Sequence, residues 1–313
     1  MEYIWLVAGF ALLIKGADFF VEGSSSVARL LRIPTIIIGL TIVAFGTSAP
    51  ELAVSLSASL ADNNDIAVGN VIGSNIFNLL VVIGACSVVA PVVVDKKILY
   101  GDYLFGIIVT VVMLALFVTD RNLGRLDGCI LLAIMGYFLF HMIRNTLASR
   151  AAGGGGTQED ETVKPQNPIK SVLFIAGGLG AIVWGGDLVV DNASLIAESF
   201  GLSQTLIGLT VVAFGTSLPE LVTSVVASKK GENSLALGNV IGSNLFNILT
   251  VLALSAAISP MKVDVLSVFD ALFLIITSCL VWYMAKTRGA VSRNEGLLML
   301  VLYGCYTVYI IVR

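Results

Sequence analysis

The chain has 313 residues, of which 57% are hydrophobic and only 12% are charged, and its formal net charge is −3. Soluble domains carry about twice that share of charged residues, and a mean hydropathy of +0.95 is far too high for a fold with a polar surface. These values exclude a nucleic-acid-binding protein, a soluble enzyme and a disordered chain.

In chain order, charged residues interrupt the sequence at intervals close to the length of about 20 apolar residues that crosses a bilayer. Residues 66–94, 103–119 and 271–285 contain no charge, and the stretches 33–61 and 199–228 contain a single glutamate each. This spacing predicts ten membrane-spanning helices, at residues 3–22, 34–60, 67–89, 99–119, 124–144, 170–190, 203–228, 236–259, 265–285 and 295–312.

The loops between these spans differ in basic charge, and lysine and arginine are enriched in cytoplasmic loops. If the N-terminus is outside, the inner loops carry 13 of these residues and the outer segments carry 4. We therefore expect a multi-pass protein of the cell membrane with both termini extracellular. The long central loop, 146–169, contains four consecutive glycines followed by acidic residues and prolines, which is typical of a flexible tether. The predicted orientation places it in the cytoplasm.

An internal repeat relates the two halves of the chain. Residues 39–78 and 208–247 align without a gap at an offset of 169, and 26 of 40 positions are identical. The best-preserved stretches are GLTIVAFGTSAPE at 39–51, repeated as GLTVVAFGTSLPE at 208–220, and GNVIGSNIFN at 69–78, repeated as GNVIGSNLFN at 238–247. Each half holds five predicted spans, so the second half enters the membrane from the opposite side. Inverted repeats of this kind occur in secondary transporters, whose substrate site lies near the midplane between the repeats.

The predicted fold is an all-α polytopic membrane protein built from two inverted five-helix repeats, with helices 2 and 7 broken. We assign residues 1–145 to the first repeat, 146–169 to the cytoplasmic loop and 170–313 to the second repeat. The repeated motifs 39–78 and 208–247 lie in the second and third helices of their halves.

Glu51 and Glu220 lie near the middle of their spans, and each follows a proline. A carboxylate at that depth is energetically costly and indicates a functional site, and its recurrence in matched motifs argues against a purely structural role. A proline within a helix removes a hydrogen bond and clashes with the carbonyl four residues back, so both helices should break around Gly-Thr-Ser. The carboxylates and freed carbonyls would then be joined by the hydroxyls of Thr47, Ser48, Thr216 and Ser217.

The second motif places further oxygen atoms on one helix face, since residues four apart lie one turn from each other. Ser74 and Asn78, with Ser243 and Asn247, are the candidate ligands here, whereas the remaining asparagines of the motif (Asn70, Asn75, Asn239 and Asn244) are interpreted as packing. An environment made only of oxygen suits hard cations such as Ca²⁺ and Na⁺. Because neither histidine nor cysteine is near, a zinc or copper site is disfavoured.

Glu51 and Glu220 together carry a charge of −2, which one Ca²⁺ or two Na⁺ would neutralise. Both ions would then compete for the same carboxylates, and such competition is the physical basis of exchange. A cation channel, in contrast, needs weak occupancy at several sites along a continuous pore. An intramembrane hydrolase is a further alternative, but the sequence has no recognisable signature of paired aspartates.

With GTSAPE and GTSLPE, and GSNIFN and GSNLFN, the chain resembles the cation/Ca²⁺ exchanger superfamily, specifically the Na⁺/Ca²⁺ exchangers with their two alpha repeats. The resemblance covers the whole chain and implies alternating access, in which the first and sixth helices slide against a fixed core. It implies ligand roles for the side chains of Glu51, Glu220, Thr47, Ser48, Thr216, Ser217, Ser74, Ser243, Asn78 and Asn247, and for the backbone carbonyls near Ala44 and Ala213.

One position separates the subclasses of this family. The potassium-dependent branch typically has an aspartate where this chain has Asn247, so K⁺ co-transport is not expected. The proton-coupled branch has a different motif before the glutamate, which leaves H⁺/Ca²⁺ exchange as the alternative to Na⁺/Ca²⁺ exchange. The expected substrates are Na⁺ and Ca²⁺, and the expected surroundings are a lipid bilayer. We expect neither a resident cofactor nor enzymatic activity, and the sequence leaves the oligomeric state open.

Overall fold

A computed structural model of the protein describes residues 1–151, 167–201 and 213–312. Helices dominate this part of the chain: α1 (Glu2–Leu31), α2 (Thr35–Thr47), α3 (Ala49–Leu60), α4 (Asn64–Val89), α5 (Lys96–Thr119), α6 (Arg125–Ala151), α7 (Pro168–Ser199), α8 (Ala213–Thr216), α9 (Leu218–Lys229), α10 (Asn233–Ile258), α11 (Val265–Arg288) and α12 (Arg293–Val312). Four two-residue strands complete the regular elements: β1 (Val92–Val93), β2 (Asn122–Leu123), β3 (Met261–Lys262) and β4 (Ala290–Val291).

Within these ranges, eight helices are long and apolar enough to cross a membrane, and the bent pair α2 and α3 counts as a ninth span. The prediction of a multi-pass helical membrane protein is therefore confirmed. The predicted seventh span, 203–228, begins outside the described residues, and only α8 and α9 belong to its later part. Most of the predicted cytoplasmic loop likewise lies outside them, at residues 152–166.

The first helix extends well beyond its predicted end at residue 22, to Leu31, and charged residues in this part of it are paired with the connection between α9 and α10. Lys230 Nζ, just after α9, lies 2.6 Å from Asp18 Oδ1, and Arg29 Nη1 lies 3.2 Å from Glu232 Oε1. These ion pairs hold about the last four turns of α1 against the α9–α10 connection. α6 and α7 also extend past their predicted ends, to Ala151 and Ser199.

Small residues allow α1 and α7 to pack closely along their length. A Cβ atom added at Gly16 would lie 2.8 Å from Gly178 O, and one at Gly9 would lie 3.0 Å from Gly185 O. The contact partners run backwards along α7 as they run forwards along α1, so the two helices are antiparallel. Close approach through small residues is the usual basis of helix association in membranes, where apolar burial contributes little.

We expect Gly178→Val to lower thermal stability, because the added Cβ would lie 2.6 Å from Phe20 N and 2.7 Å from Gly16 O. Backbone atoms cannot move aside without separating α1 from α7, and overpacking of this kind costs about 1–3 kcal/mol. Thermal unfolding of the purified protein in detergent measures the effect. Gly177→Val is the matched control, since no described atom outside its own stretch of helix lies within 4 Å of its Cβ position. Equal melting temperatures for the two variants would contradict the expectation.

The centre of the molecule consists of α4 and α10, which are the most buried of the long helices. α2 packs against α10, and a Cβ at Gly238 would lie 2.6 Å from Ile36 O. Each of the two central helices contains a π-helical turn, at Asn78–Val82 and Asn247–Leu252. Such turns are rare and are frequently found at functional sites.

The short strands join the two halves of the chain crosswise. β1 pairs with β4, matching Val92 with Val291, and β2 pairs with β3, matching Leu123 with Met261. β1 and β3 are themselves equivalent at the offset of 169 residues. Each half therefore supplies one strand to each pair, as expected when two similar halves are related by a two-fold axis.

Candidate ion-binding site

Both repeated glutamates lie immediately after a break in a helix. α2 ends at Thr47 and α3 begins at Ala49, and the two helices are bent by 48°. Pro50 is in the first turn of α3, where its missing N–H costs nothing. Glu51 follows in the same turn, fully buried. The predicted break in the second helix is thus present, with Ser48 as the single residue between the two segments.

The second repeat has the same local structure in the described part of its broken helix. Ser217 separates α8 from α9, Pro219 lies in the first turn of α9, and Glu220 follows it with no exposed surface. The same proline chemistry therefore positions both carboxylates at the start of a helix.

Each glutamate accepts a hydrogen bond from the serine in the break of the other half. Ser48 Oγ donates to Glu220 Oε1 at 2.8 Å, and Ser217 Oγ donates to Glu51 Oε1 at 3.1 Å. Ser243 Oγ also donates to Glu220 Oε1, at 3.5 Å. Because the two serine–glutamate contacts are equivalent at the repeat offset, the site joins the halves through polar contacts.

The central helices contribute serines and asparagines to the same region. Ser74 Oγ lies 3.2 Å from Ser217 Oγ, within hydrogen-bonding distance. Asn78 and Asn247, fully buried at the start of their π-helical turns, donate their amide Nδ2 atoms to Asn244 and Asn75 Oδ1, both at 3.1 Å. The NH₂ end of each candidate amide is thus occupied by the protein.

Among the candidate ligands, four buried oxygen atoms have no hydrogen-bond partner in the described part of the chain: Glu51 Oε2, Glu220 Oε2, Asn78 Oδ1 and Asn247 Oδ1. The other partnerless buried oxygens belong to residues outside the candidate set, such as Ser25 and Ser194. All four are acceptors in this arrangement, and they form two pairs at the offset of 169 residues. Burying such atoms without a partner is costly, so their recurrence needs an explanation. A hard cation is a suitable partner for such atoms, because carboxylate and amide oxygens are the ligands that it prefers.

The remaining predicted ligands are Thr47, Thr216 and the carbonyls of Ala44 and Ala213. Thr47 Oγ1 donates to Asn239 Oδ1 at 3.1 Å, and the Ala44 carbonyl accepts the Ser48 N–H at 3.0 Å. Thr216 in α8 is only partly buried and has a polar partner. For Ala213 the structure describes only its place at the start of α8. No group of three or more His, Cys, Asp or Glu side chains in the described ranges could hold a metal ion.

Asparagines that the sequence assigned to packing also contact this region. Asn70 Nδ2 donates to Ser55 Oγ at 2.8 Å and to the Glu51 carbonyl at 3.2 Å, and Asn239 Nδ2 donates to Ser224 Oγ at 2.9 Å. These contacts fix α3 and α9 against the central helices. Their recurrence at the repeat offset is the signal that could have identified them.

Comparison with known proteins gives consistent matches along the whole chain. The profile of the sodium/calcium exchanger protein family matches residues 1–144 and 170–312. The inner membrane protein YrbG of Escherichia coli is 36% identical over 302 residues, covering 94% of this chain and 92% of its own length. The sodium/calcium exchanger MaX1 of Methanosarcina acetivorans is 31% identical over 343 residues, covering 98% of both chains.

The fold has a solved counterpart as well. A structure of the sodium-calcium exchanger NCX_Mj, soaked with zero Na⁺ and Ca²⁺, matches with a TM-score of 0.86 at 31% sequence identity. The match covers 99% of this chain and 98% of the other.

Proposed function

Since the chain belongs to the sodium/calcium exchanger protein family, we propose that it is a secondary active antiporter that exchanges Na⁺ for Ca²⁺ by alternating access. The supporting observation is the set of four donor-free buried oxygens on Glu51, Glu220, Asn78 and Asn247. Two carboxylates supply a charge of −2, which matches one Ca²⁺ or two Na⁺. The same atoms then serve both ions in turn, so binding of one displaces the other.

The proposed architecture has ten spans arranged as two inverted repeats, residues 1–145 and 170–313, joined by the loop 146–169. The crosswise strand pairs and the crosswise serine–glutamate contacts support a two-fold relation between the repeats. The site then lies near the membrane midplane. By the distribution of loop charges, both termini face the exterior and the central loop faces the cytoplasm.

The proposed ligand set extends beyond the four donor-free oxygens. Ser48, Ser217, Ser74 and Ser243 contact the carboxylates or one another, and a hydroxyl that donates one hydrogen bond keeps lone pairs for a cation. The proposal also retains Thr47, Thr216 and the backbone carbonyls of Ala44 and Ala213. α1 and α7, joined by their glycine contacts, are the pair that moves against the core.

Ca²⁺ uptake into proteoliposomes tests the proposed exchange. Vesicles loaded with Na⁺ and diluted into Na⁺-free medium containing Ca²⁺ should accumulate Ca²⁺, whereas vesicles loaded with K⁺ or choline should not. Uptake driven by a proton gradient without Na⁺ would instead identify an H⁺/Ca²⁺ exchanger. Ca²⁺ flux that is independent of any counter-ion would identify a channel.

We predict that K⁺ does not change the rate of Na⁺-driven Ca²⁺ uptake, because the site charge stays at −2 with Asn247 neutral. The measurement compares initial rates with K⁺ and with choline, with the membrane potential clamped in both cases so that K⁺ cannot act through voltage. Asn247→Asp is the informative variant, since a third carboxylate provides the charge for an additional monovalent cation. A requirement for K⁺ in the unmodified protein would contradict this prediction.

A further inference from the structure

Asn75 and Asn244 form a closed hydrogen-bonded arrangement between α4 and α10. Asn75 Nδ2 donates to the backbone carbonyl of Asn244 at 3.3 Å, and Asn244 Nδ2 donates to the backbone carbonyl of Asn75 at 3.4 Å. Their side-chain oxygens accept the amides of Asn247 and Asn78, respectively, each at 3.1 Å. The four asparagines thus form two equivalent chains of hydrogen bonds, each of which crosses from one half to the other.

The orientation of the amides in each chain of hydrogen bonds is fixed by the backbone carbonyl that accepts the last hydrogen bond. A backbone carbonyl accepts hydrogen bonds and cannot donate them, so the NH₂ end of Asn75 must point at the carbonyl of Asn244. The oxygen of Asn75 consequently points at Asn247, which has to offer its own NH₂ end. Asn247 Oδ1 is then the atom left over, and it is one of the four buried oxygens without a donor.

The orientation of this amide decides what a cation would meet. An amide has a partially negative oxygen and a partially positive NH₂ group, so a reversed side chain would turn an attractive contact into a repulsive one. Asn75 is almost completely buried, with 1% of its surface exposed, so water cannot replace the contact. Asn78 is held in the same way by Asn244, which is half-buried in the same interface.

We propose that Asn75 and Asn244 are positioning residues, which hold the amides of Asn247 and Asn78 with their oxygens facing the transported cation. This inference rests on the proposed function, because it assumes that those oxygens are ligands. It corrects the interpretation of both residues as packing alone. It also means that each half of the chain orients the amide ligand of the other half.

A carboxylate offers a test that distinguishes positioning from packing. An aspartate at position 247 has an oxygen at both ends and so needs no neighbour to orient it, although one of these oxygens would face Asn75 Oδ1 and be repelled by it. Asn75→Leu removes the acceptor at a similar side-chain volume. If Asn75 orients Asn247, Asn75→Leu should weaken Ca²⁺ binding in the unmodified background but should leave it unchanged, or strengthen it by removing the repulsion, when Asn247→Asp is present.

The experiment compares the unmodified protein, Asn75→Leu, Asn247→Asp and the double variant in Na⁺-driven Ca²⁺ uptake. Asn75→Leu should raise the KM for Ca²⁺ by about tenfold, in line with the loss of one charge-assisted polar contact. The double variant should have a KM no higher than that of Asn247→Asp alone. The proposal is overturned if Asn75→Leu leaves the KM unchanged, or if it raises the KM by the same factor in both backgrounds.

A matched control comes from α4 itself. Asn70→Leu removes an asparagine that contacts Ser55 and the backbone of Glu51 rather than an amide ligand. Any defect in Asn70→Leu should therefore persist in combination with Asn247→Asp. Rescue of Asn70→Leu would show that the aspartate compensates for general damage, and would count against the proposal.

The equivalent pair provides a second, independent arm. If Asn75→Leu does not fold, Asn244→Leu with and without Asn78→Asp tests the same relation, with the same expected pattern. Equilibrium binding of ⁴⁵Ca²⁺ to the purified protein separates this proposal from the proposed function, since binding needs no transport. Absence of Na⁺-driven uptake in the unmodified protein would contradict the antiporter, whereas loss of the rescue pattern in binding would contradict the positioning role.

Discussion

Replacing either Glu51 or Glu220 by glutamine is expected to abolish Ca²⁺ transport while the protein remains folded. Glutamine has nearly the same shape as glutamate, and its Oε1 can still accept the hydrogen bond that a serine of the other half donates. The site charge, however, falls from −2 to −1 at a position with no exposed surface. Removing one partner of a buried charge interaction costs about 3–5 kcal/mol, so the rate of Ca²⁺ uptake should fall by at least about a hundredfold.

Initial rates of Na⁺-driven ⁴⁵Ca²⁺ uptake at equal protein density provide the measurement, with size-exclusion profiles and melting temperatures to confirm folding. Glu2→Gln makes the same chemical change on an exposed side chain in the first turn of α1, and it should transport at the rate of the unmodified protein. Because the two glutamates are equivalent in the repeat, both substitutions should produce the defect. Transport at the unmodified rate in either variant would contradict the assignment of the site.

Gly242→Val is expected to lower the thermal stability of the protein strongly. A Cβ at Gly242 would lie 2.7 Å from Leu40 Cα, 2.7 Å from Ala44 Cβ and 2.8 Å from Leu40 O. None of these atoms belongs to a flexible side chain, so α2 would have to move away from α10. Overpacking costs about 1–3 kcal/mol and occasionally more, and this position adjoins the helix break that carries Glu51.

Thermal unfolding in detergent and the monodisperse yield after purification measure the effect of Gly242→Val. Gly304→Val is a suitable control, because no described atom outside its own stretch of helix lies within 4 Å of that Cβ position, and Gly304 is exposed on α12. The unmodified protein and the control should have the same melting temperature, and Gly242→Val should melt well below both. A variant at position 242 that melts with the control would mean that α2 and α10 do not pack as closely as described.

The sequence alone identified the features that depend on local chemistry. The helix break follows from Pro50, and the importance of Glu51 follows from the cost of a carboxylate within an apolar span. The repeat then predicted the equivalent features at Pro219 and Glu220 without further information. The apolar spans were likewise recognisable, because their length and lack of charge are properties of the chain itself.

Features that depend on how distant segments meet were not predictable. A sequence does not show that Ser48 contacts Glu220 rather than its neighbour Glu51, since that choice depends on the packing of the two halves. Nor does it show that Asp18 pairs with Lys230, which is why the end of α1 was placed too early. The roles of Asn75 and Asn244 were missed for the same reason, because an asparagine in a motif does not reveal its partner.

The crosswise contacts between Ser48 and Glu220 and between Ser217 and Glu51 also have an evolutionary consequence. A chain of half this length would contain a glutamate but would lack the serine that contacts it, so it could complete the site only as an antiparallel homodimer. Gene fusion would release the two copies from sequence identity. The ion pair of Lys230 with Asp18 is an example of such divergence. The position equivalent to Lys230 in the first half is Ala61, which cannot form the matching ion pair. Divergence of this kind permits one end of the transporter to be held more firmly than the other.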